Sequence, residues 1–239
     1  MSIHRFIEHR LLSLAFLVSL MAFFWPPGFA WMKPHIPLLL GIIMFGMGTA
    51  LETADFKRVL QQPRLLLAGM AAQFGVMPLL GFLIARALGL GTELTAGVIL
   101  LGACPGGTAS NVIAYLARAN VELSVSLTLA STLLAPLLTP WLTWLYAHAE
   151  VNVNVAGLMA DVVRIVLVPL LGGLAVRLFF RRWIQPWTVY MPSLSAVVIL
   201  AVIGCVVSLN TDTIRNVSAL VAAAVILHNG SGLLLGYRF

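Results

Sequence analysis

The sequence predicts an all-α, polytopic membrane protein of about eight transmembrane helices. Three observations predict it. First, 61% of the 239 residues are apolar and only 9% charged, and the mean hydropathy is +1.02; no soluble core needs that much apolar sequence. Second, apolar runs of about 20 residues follow one another, separated by short polar stretches. Third, the basic residues sit between these runs rather than along one face. The net charge of +6 therefore reads as a topology signal and not as a nucleic-acid surface.

The segments come in order. The first spans about 11–30 and ends near Pro26-Pro27. Arg5, Arg10 and the small-residue stretch Gly28-Phe29-Ala30 give it some likeness to a secretory signal peptide, but further apolar runs follow at once. The second spans about 35–51, and a polar loop with Asp55, Lys57 and Arg58 follows over 52–64. The third, about 65–88, carries Gln73 and Pro78. The fourth, 94–117, is interrupted. The fifth spans about 121–148, with Pro136 and Pro140 in its later half. The sixth, about 153–179, holds Asp161 and Arg164, spaced for an ion pair. The seventh covers about 189–209 and the eighth about 216–237. With the N-terminus inside, the inner segments hold Arg5, Arg10, Lys57, Arg58, Arg64, Arg118, Arg177, Arg181, Arg182 and Arg238. The outer ones hold only Lys33, Arg86 and Arg215. That bias places the N-terminus in the cytoplasm. Cys104 and Cys205 lie within apolar runs and read as small buried hydrophobes, not as a disulfide framework.

The chain is organised around Cys104-Pro105-Gly106-Gly107-Thr108-Ala109-Ser110-Asn111. Proline removes a backbone N–H and its ring opposes a continuous helix. The glycines lift the steric penalty on unusual dihedrals. Thr108 or Ser110 then caps a new helix start. The expected object is a helix broken near mid-membrane. Unpaired backbone groups cost several kcal/mol in hydrocarbon, so such a break persists only inside protein or beside a wet cavity. Its carbonyl end carries about −0.5 charge and its restarting end about +0.5, which makes it an ion and anion site. The plainer alternative is a kinked helix packed through Gly102 and Gly106.

Polar side chains around this stretch carry the remaining chemistry. Ser124, Thr128 and Thr132 share one helical face, with Ser131 beside it. Hydroxyl and carbonyl oxygens in that pattern suit a hard cation such as Na⁺; back-bonding to each i−4 carbonyl is the alternative. Ser110 and Asn111 add oxygens at the restart. Gln73 is either a ligand or interhelical glue. Thr108 and the N–H groups around it suit a carboxylate or sulfonate. His228-Asn229 in the eighth segment reads as a buried histidine bonded to a backbone carbonyl rather than a proton relay. Enzyme patterns fail. Gly230-Ser231-Gly232 lacks the glycine that a nucleophile elbow needs, and no carboxylate dyad, His/Cys metal spacing or phosphate loop occurs.

Gly102-Ala-Cys-Pro-Gly-Gly-Thr-Ala-Ser-Asn111-Val-Ile-Ala-Tyr-Leu-Ala-Arg118, followed by Val121-Glu-Leu-Ser-Val-Ser-Leu-Thr128 and Ser131-Thr132, closely resembles bacterial members of the bile acid:sodium symporter family. Ala72-Gln73-Phe74, Met77-Pro78-Leu79 and Leu227-His-Asn-Gly-Ser-Gly232 match it too. The resemblance implies a ten-helix inverted-repeat fold with broken fourth and ninth helices. Its panel would hold residues of about 11–51 and 153–209, and its core those of about 65–148 and 216–237. It implies sodium-coupled symport of organic anions, either bile acids or smaller carboxylates such as pantoate-like acids, across a bacterial inner membrane. Sodium is then the coupling ion and no organic cofactor is expected. One sodium would take Ser110, Asn111, Ser124 and Thr128, and the other Gln73. Thr108, with Gly107 and Asn111, would face the substrate. In the family, a ninth helix completes both sodium sites. The sequence stops at Phe239, so the alternative expectation is an inactive truncated product.

Overall fold

A computed structural model describes residues 10–51, 63–107, 110, 114, 117–147, 153–188 and 190–238, without the side chains of 217, 218 and 238. Among the described residues the regular structure is helical and no strand occurs. The helices are α1 Leu11–Phe24, α2 Ile36–Ala50, α3 Pro63–Ala87, α4 Thr92–Ala103, α5 Val121–Ala147, α6 Val155–Phe179, α7 Met191–Leu209 and α8 Thr211–Arg238. Six spans among the described residues are long and apolar enough to cross a membrane. α1 and α4 are shorter. α1 stops at Phe24, six residues before the expected end. Pro26 and Pro27 follow, and the chain resumes as the single turn Pro27–Ala30 and the 3₁₀ turn Lys33–His35. α4 has 12 residues, so it rises only about 18 Å, little more than half of a ~30 Å hydrocarbon layer. α8 begins five residues earlier than expected, with Asp212 favourably placed in its first turn.

Two of the long helices contain a π turn, Ala72–Val76 in α3 and Val163–Leu167 in α6. Each directly precedes an X-Pro pair, Met77-Pro78 and Val168-Pro169. A proline cannot supply the i→i−4 N–H, and an i→i+5 turn accommodates the gap. In α3 the Met77 N–H closes the wide turn onto the Ala72 carbonyl.

The described residues fall into two compact units. One gathers Met1–Glu52 and Val163–Asn216, the other Thr53–Val162 and Val217–Phe239. The division falls inside two helices, in α6 at the first residue of its π turn and in α8 after Asn216. In the first unit α2 packs along the second half of α6 and along α7, and α7 packs along α1. Glycines make the α2–α6 approach possible: a Cβ on Gly48 would run into the Leu170 carbonyl, and one on Gly173 into the Phe45 carbonyl. In the second unit α4 packs on α3 and on α5. A Cβ on Gly81 would come within 2.8 Å of the Val98 carbonyl, and one on Gly102 within 2.6 Å of the Met77 carbonyl. Large apolar side chains such as Leu12, Phe16, Leu67, Leu137 and Leu233 are exposed, as hydrocarbon surroundings require.

Asn120 caps α5 by accepting the Leu123 N–H at 2.9 Å, and Asn154 caps α6 by accepting the Gly157 N–H at 3.0 Å. These caps fix where the two helices start.

Candidate functional site

The site is the end of α4. The helix runs to Ala103, and Cys104 turns away in extended backbone at φ −69°, ψ 149°. Residues 104–107 are non-helical, and helical backbone reappears at Ser110 and Ala114. The expected break is therefore present. Pro105 accounts for it, while the glycines act differently from expectation. Among the described residues the positive-φ positions are Gly89 and Arg118, so Gly106 and Gly107 do not use the left-handed region. They contribute an absence of side chain. A Cβ on Gly106 would point at the Ser131 and Thr128 hydroxyls, 3.6 and 3.9 Å away, and one on Gly107 would meet nothing within 4 Å.

A helix end leaves its last carbonyls without partners. Here side chains from two neighbouring helices supply them. Thr139 of α5 donates its hydroxyl to the Ala103 carbonyl at 2.7 Å. Gln73 of α3 donates its amide to the Cys104 carbonyl, also at 2.7 Å. On the other side of Pro105, the Gly106 N–H donates to Ser131 Oγ at 3.2 Å. The break is thus tied on both sides to structure within the same unit, as irregular backbone at membrane depth must be.

The hydroxyl stripe of α5 lies against this break. Thr128 donates to the Ser124 carbonyl at 3.0 Å, while Ser131 and Thr132 both donate to the Thr128 carbonyl, at 3.0 and 2.7 Å. Back-bonding, the alternative weighed from sequence, is therefore what these hydroxyls do. It does not exclude a cation. A hydroxyl has one hydrogen and two lone pairs, and back-bonding engages the hydrogen and leaves the oxygen an acceptor. Thr128, Ser131 and Thr132 are buried, and Ser124 is half-buried.

The structure brings Gln73, Thr128 and the α4 end into one neighbourhood. Ser110 is exposed and donates its hydroxyl to the Gly107 carbonyl at 2.7 Å; its own N–H also goes to that carbonyl, at 3.0 Å. Its hydroxyl and its N–H thus both turn back onto Gly107, and Ser110 itself has helical backbone. Gly107 is exposed. Thr108 and Asn111 lie outside the described residues. Asp161 and Arg164 are both exposed.

One participant, Thr139, is not among the residues singled out from the sequence. Thr139 follows Thr132 by seven residues, two helical turns, so extending the hydroxyl stripe would have found it. Cys104, the first residue of the expected break, contributes its backbone carbonyl. His228 is 2% exposed and its Nε2 lies 3.0 Å from the Met77 carbonyl. A carbonyl only accepts, so Nε2 carries the hydrogen. The backbone-bonded reading of this histidine is the observed one.

The family model described as Sodium Bile acid symporter family matches residues 37–217. The chain belongs to that family. Its members are sodium-dependent transporters, and the relatives are named as transporters and not as enzymes. A Bacillus subtilis protein named as an uncharacterized sodium-dependent transporter, YocS, is 42% identical over 219 residues, covering 92% of this chain and 68% of its own. A chloroplastic protein of Arabidopsis thaliana named as a probable sodium/metabolite cotransporter, BASS1, is 37% identical over 95% of this chain and 56% of its own. The ileal sodium/bile acid cotransporter of Oryctolagus cuniculus is 33% identical over 72% of this chain and 50% of its own. The chain thus spans about two thirds of the Bacillus protein and about half of the other two.

Proposed function

We propose that this chain serves sodium-coupled symport of a small organic anion, a bile acid or a smaller carboxylate of the pantoate kind, by alternating access across a bacterial inner membrane. The N-terminus is cytoplasmic on this reading. The observation that carries it is the α4 break, whose carbonyls and facing hydroxyls gather oxygen donors beside a negative helix end. Carbonyl and hydroxyl oxygens are hard ligands and suit a hard cation.

In this reading Ser110, Asn111, Ser124 and Thr128 hold one sodium and Gln73 helps to hold a second. Gln73 already reaches the Cys104 carbonyl, so a sodium there would exchange an amide donor for an ion beside the same oxygen. Thr108, Gly107 and Asn111, at the positive restart, meet the anion. The relatives' names support the sodium and the solute: they speak of sodium, metabolites and bile acids. The basic residues between segments support the orientation.

The test is uptake into proteoliposomes holding the full-length gene product. A panel of bile acids and short hydroxy acids is offered under an inward Na⁺ gradient or an equal K⁺ gradient. Uptake should require Na⁺ and fall when Gln73→Ala or Asn111→Ala is introduced. Uptake of the same solutes at equal rates under K⁺ would reject the coupling.

A further inference from the structure

Met77 is a meeting point of three helices. Its N–H closes the π turn of α3 onto Ala72. Its carbonyl receives the His228 Nε2 from α8 at 3.0 Å. Gly102 of α4 presses on that same carbonyl, where a Cβ would lie 2.6 Å away, and Gly232 of α8 lies against the Met77 side chain, where a Cβ would be 3.0 Å from its Cε. His228 and Gly232 are four residues apart, one turn on a single face of α8.

The π turn gives this contact a reach. One extra residue in a turn offsets everything before it by one position, about 100° of azimuth, relative to everything after it. Gln73 is the second residue of that turn and Met77 the residue that closes it, so the widened turn lies between them. If the turn relaxed to ordinary α geometry, Gln73 would rotate away from the Cys104 carbonyl that it reaches at 2.7 Å. Pro78 removes the N–H that would hold an ordinary turn, and a peptide held from outside by His228 keeps the wide one in register.

We propose that His228 is a positioning residue for the sodium site at the α4 break. It clamps the Met77 carbonyl and thereby holds Gln73 over Cys104. This rests on the sodium reading above and adds to it a residue outside the ligand set. Helix α8 becomes the strut from which the ion site is aimed. A buried histidine that merely filled space would be replaceable by leucine without any effect on the ion. A strut is replaceable only by a side chain that donates from the same place.

The test uses Cys104, which is half-buried at the break, in a Cys205→Ala background, since Cys205 is fully buried elsewhere. Alkylation of Cys104 by N-ethylmaleimide is timed on the purified full-length protein across Na⁺ concentrations, with K⁺ holding ionic strength constant. Na⁺ should slow alkylation of the parent. In His228→Leu the protecting Na⁺ concentration should rise roughly three- to tenfold, the range that one lost hydrogen bond spans, and alkylation without Na⁺ should quicken. His228→Gln, whose amide keeps a donor, should return both toward the parent. Asn229→Ala is the bystander, because the exposed Asn229 amide donates within α8 to the Val225 carbonyl; it should match the parent. An unchanged protecting concentration in His228→Leu, or a glutamine variant no better than leucine, overturns the positioning role and leaves the sodium reading standing. Absence of any Na⁺ protection in the parent overturns the sodium reading, and the positioning role with it.

Discussion

Thr139→Val removes one hydroxyl and almost no volume, and the structure says what that hydroxyl holds. Thr139 is 4% exposed and Ala103 fully buried, and the bond between them is 2.7 Å long. In an unbroken helix the Ala103 carbonyl would take the N–H four residues on. The break withholds it, so valine leaves a buried carbonyl with its side-chain donor gone. A buried polar group that loses its partner costs about 1–3 kcal/mol. Thr143→Val is the matched control. Its hydroxyl is also buried and also bonds at 2.7 Å, but to the Thr139 carbonyl, which already serves the α5 ladder; its loss should cost well under about 1 kcal/mol. At about 2–4 °C per kcal/mol for a chain of this size, Thr139→Val should melt about 2–12 °C below the parent in detergent, and Thr143→Val within about 2 °C of it. Melting curves followed by tryptophan fluorescence would decide. If the two valine variants melt together, the account of how the break is satisfied is wrong.

Three further outcomes are expected. Gly106→Ala should fold, because its methyl meets the Ser131 and Thr128 hydroxyls only at ordinary contact distance, but the methyl screens those oxygens; a weaker dependence of uptake on Na⁺ at normal expression checks this. Arg118→Gly should stabilise by about 0.5–1 kcal/mol in thermal unfolding. Arg118 holds a left-handed φ of 55°, with the Ala119 N–H on the Ala114 carbonyl at 2.8 Å, the Schellman geometry that glycine favours. Gly173→Leu should abolish detergent-stable protein, since even a Cβ there collides with the Phe45 carbonyl; a monodisperse variant on size exclusion would contradict the α2–α6 packing.

Much of this was legible in the sequence because it is local. Pro105 breaks the fourth segment for a reason that proline always carries. Helix α5 starts at Val121, where it is expected, because Asn120 caps it. What could not be read is of two kinds. The partners of the break are distant in sequence: Gln73 is 31 residues from Cys104, Thr139 is 36 from Ala103, and His228 is 151 from Met77. No spacing rule links such positions. The π turns were hidden because a proline in an apolar run is equally consistent with a kink, and only packing decides between the two. Gln73 shows the difference. From sequence it was equally ligand or glue, and the structure shows it capping a carbonyl, a role that admits either.

The central claim is that the interrupted α4, with the α3 amide and α5 hydroxyls around it, recognises sodium. Its most direct test is the melting temperature of the purified full-length protein titrated with NaCl against KCl at constant ionic strength, for the parent and for Thr128→Ala. The account predicts a sodium-specific rise that saturates in the parent and shifts to higher concentration in the variant. Superimposed Na⁺ and K⁺ curves for the parent would contradict it.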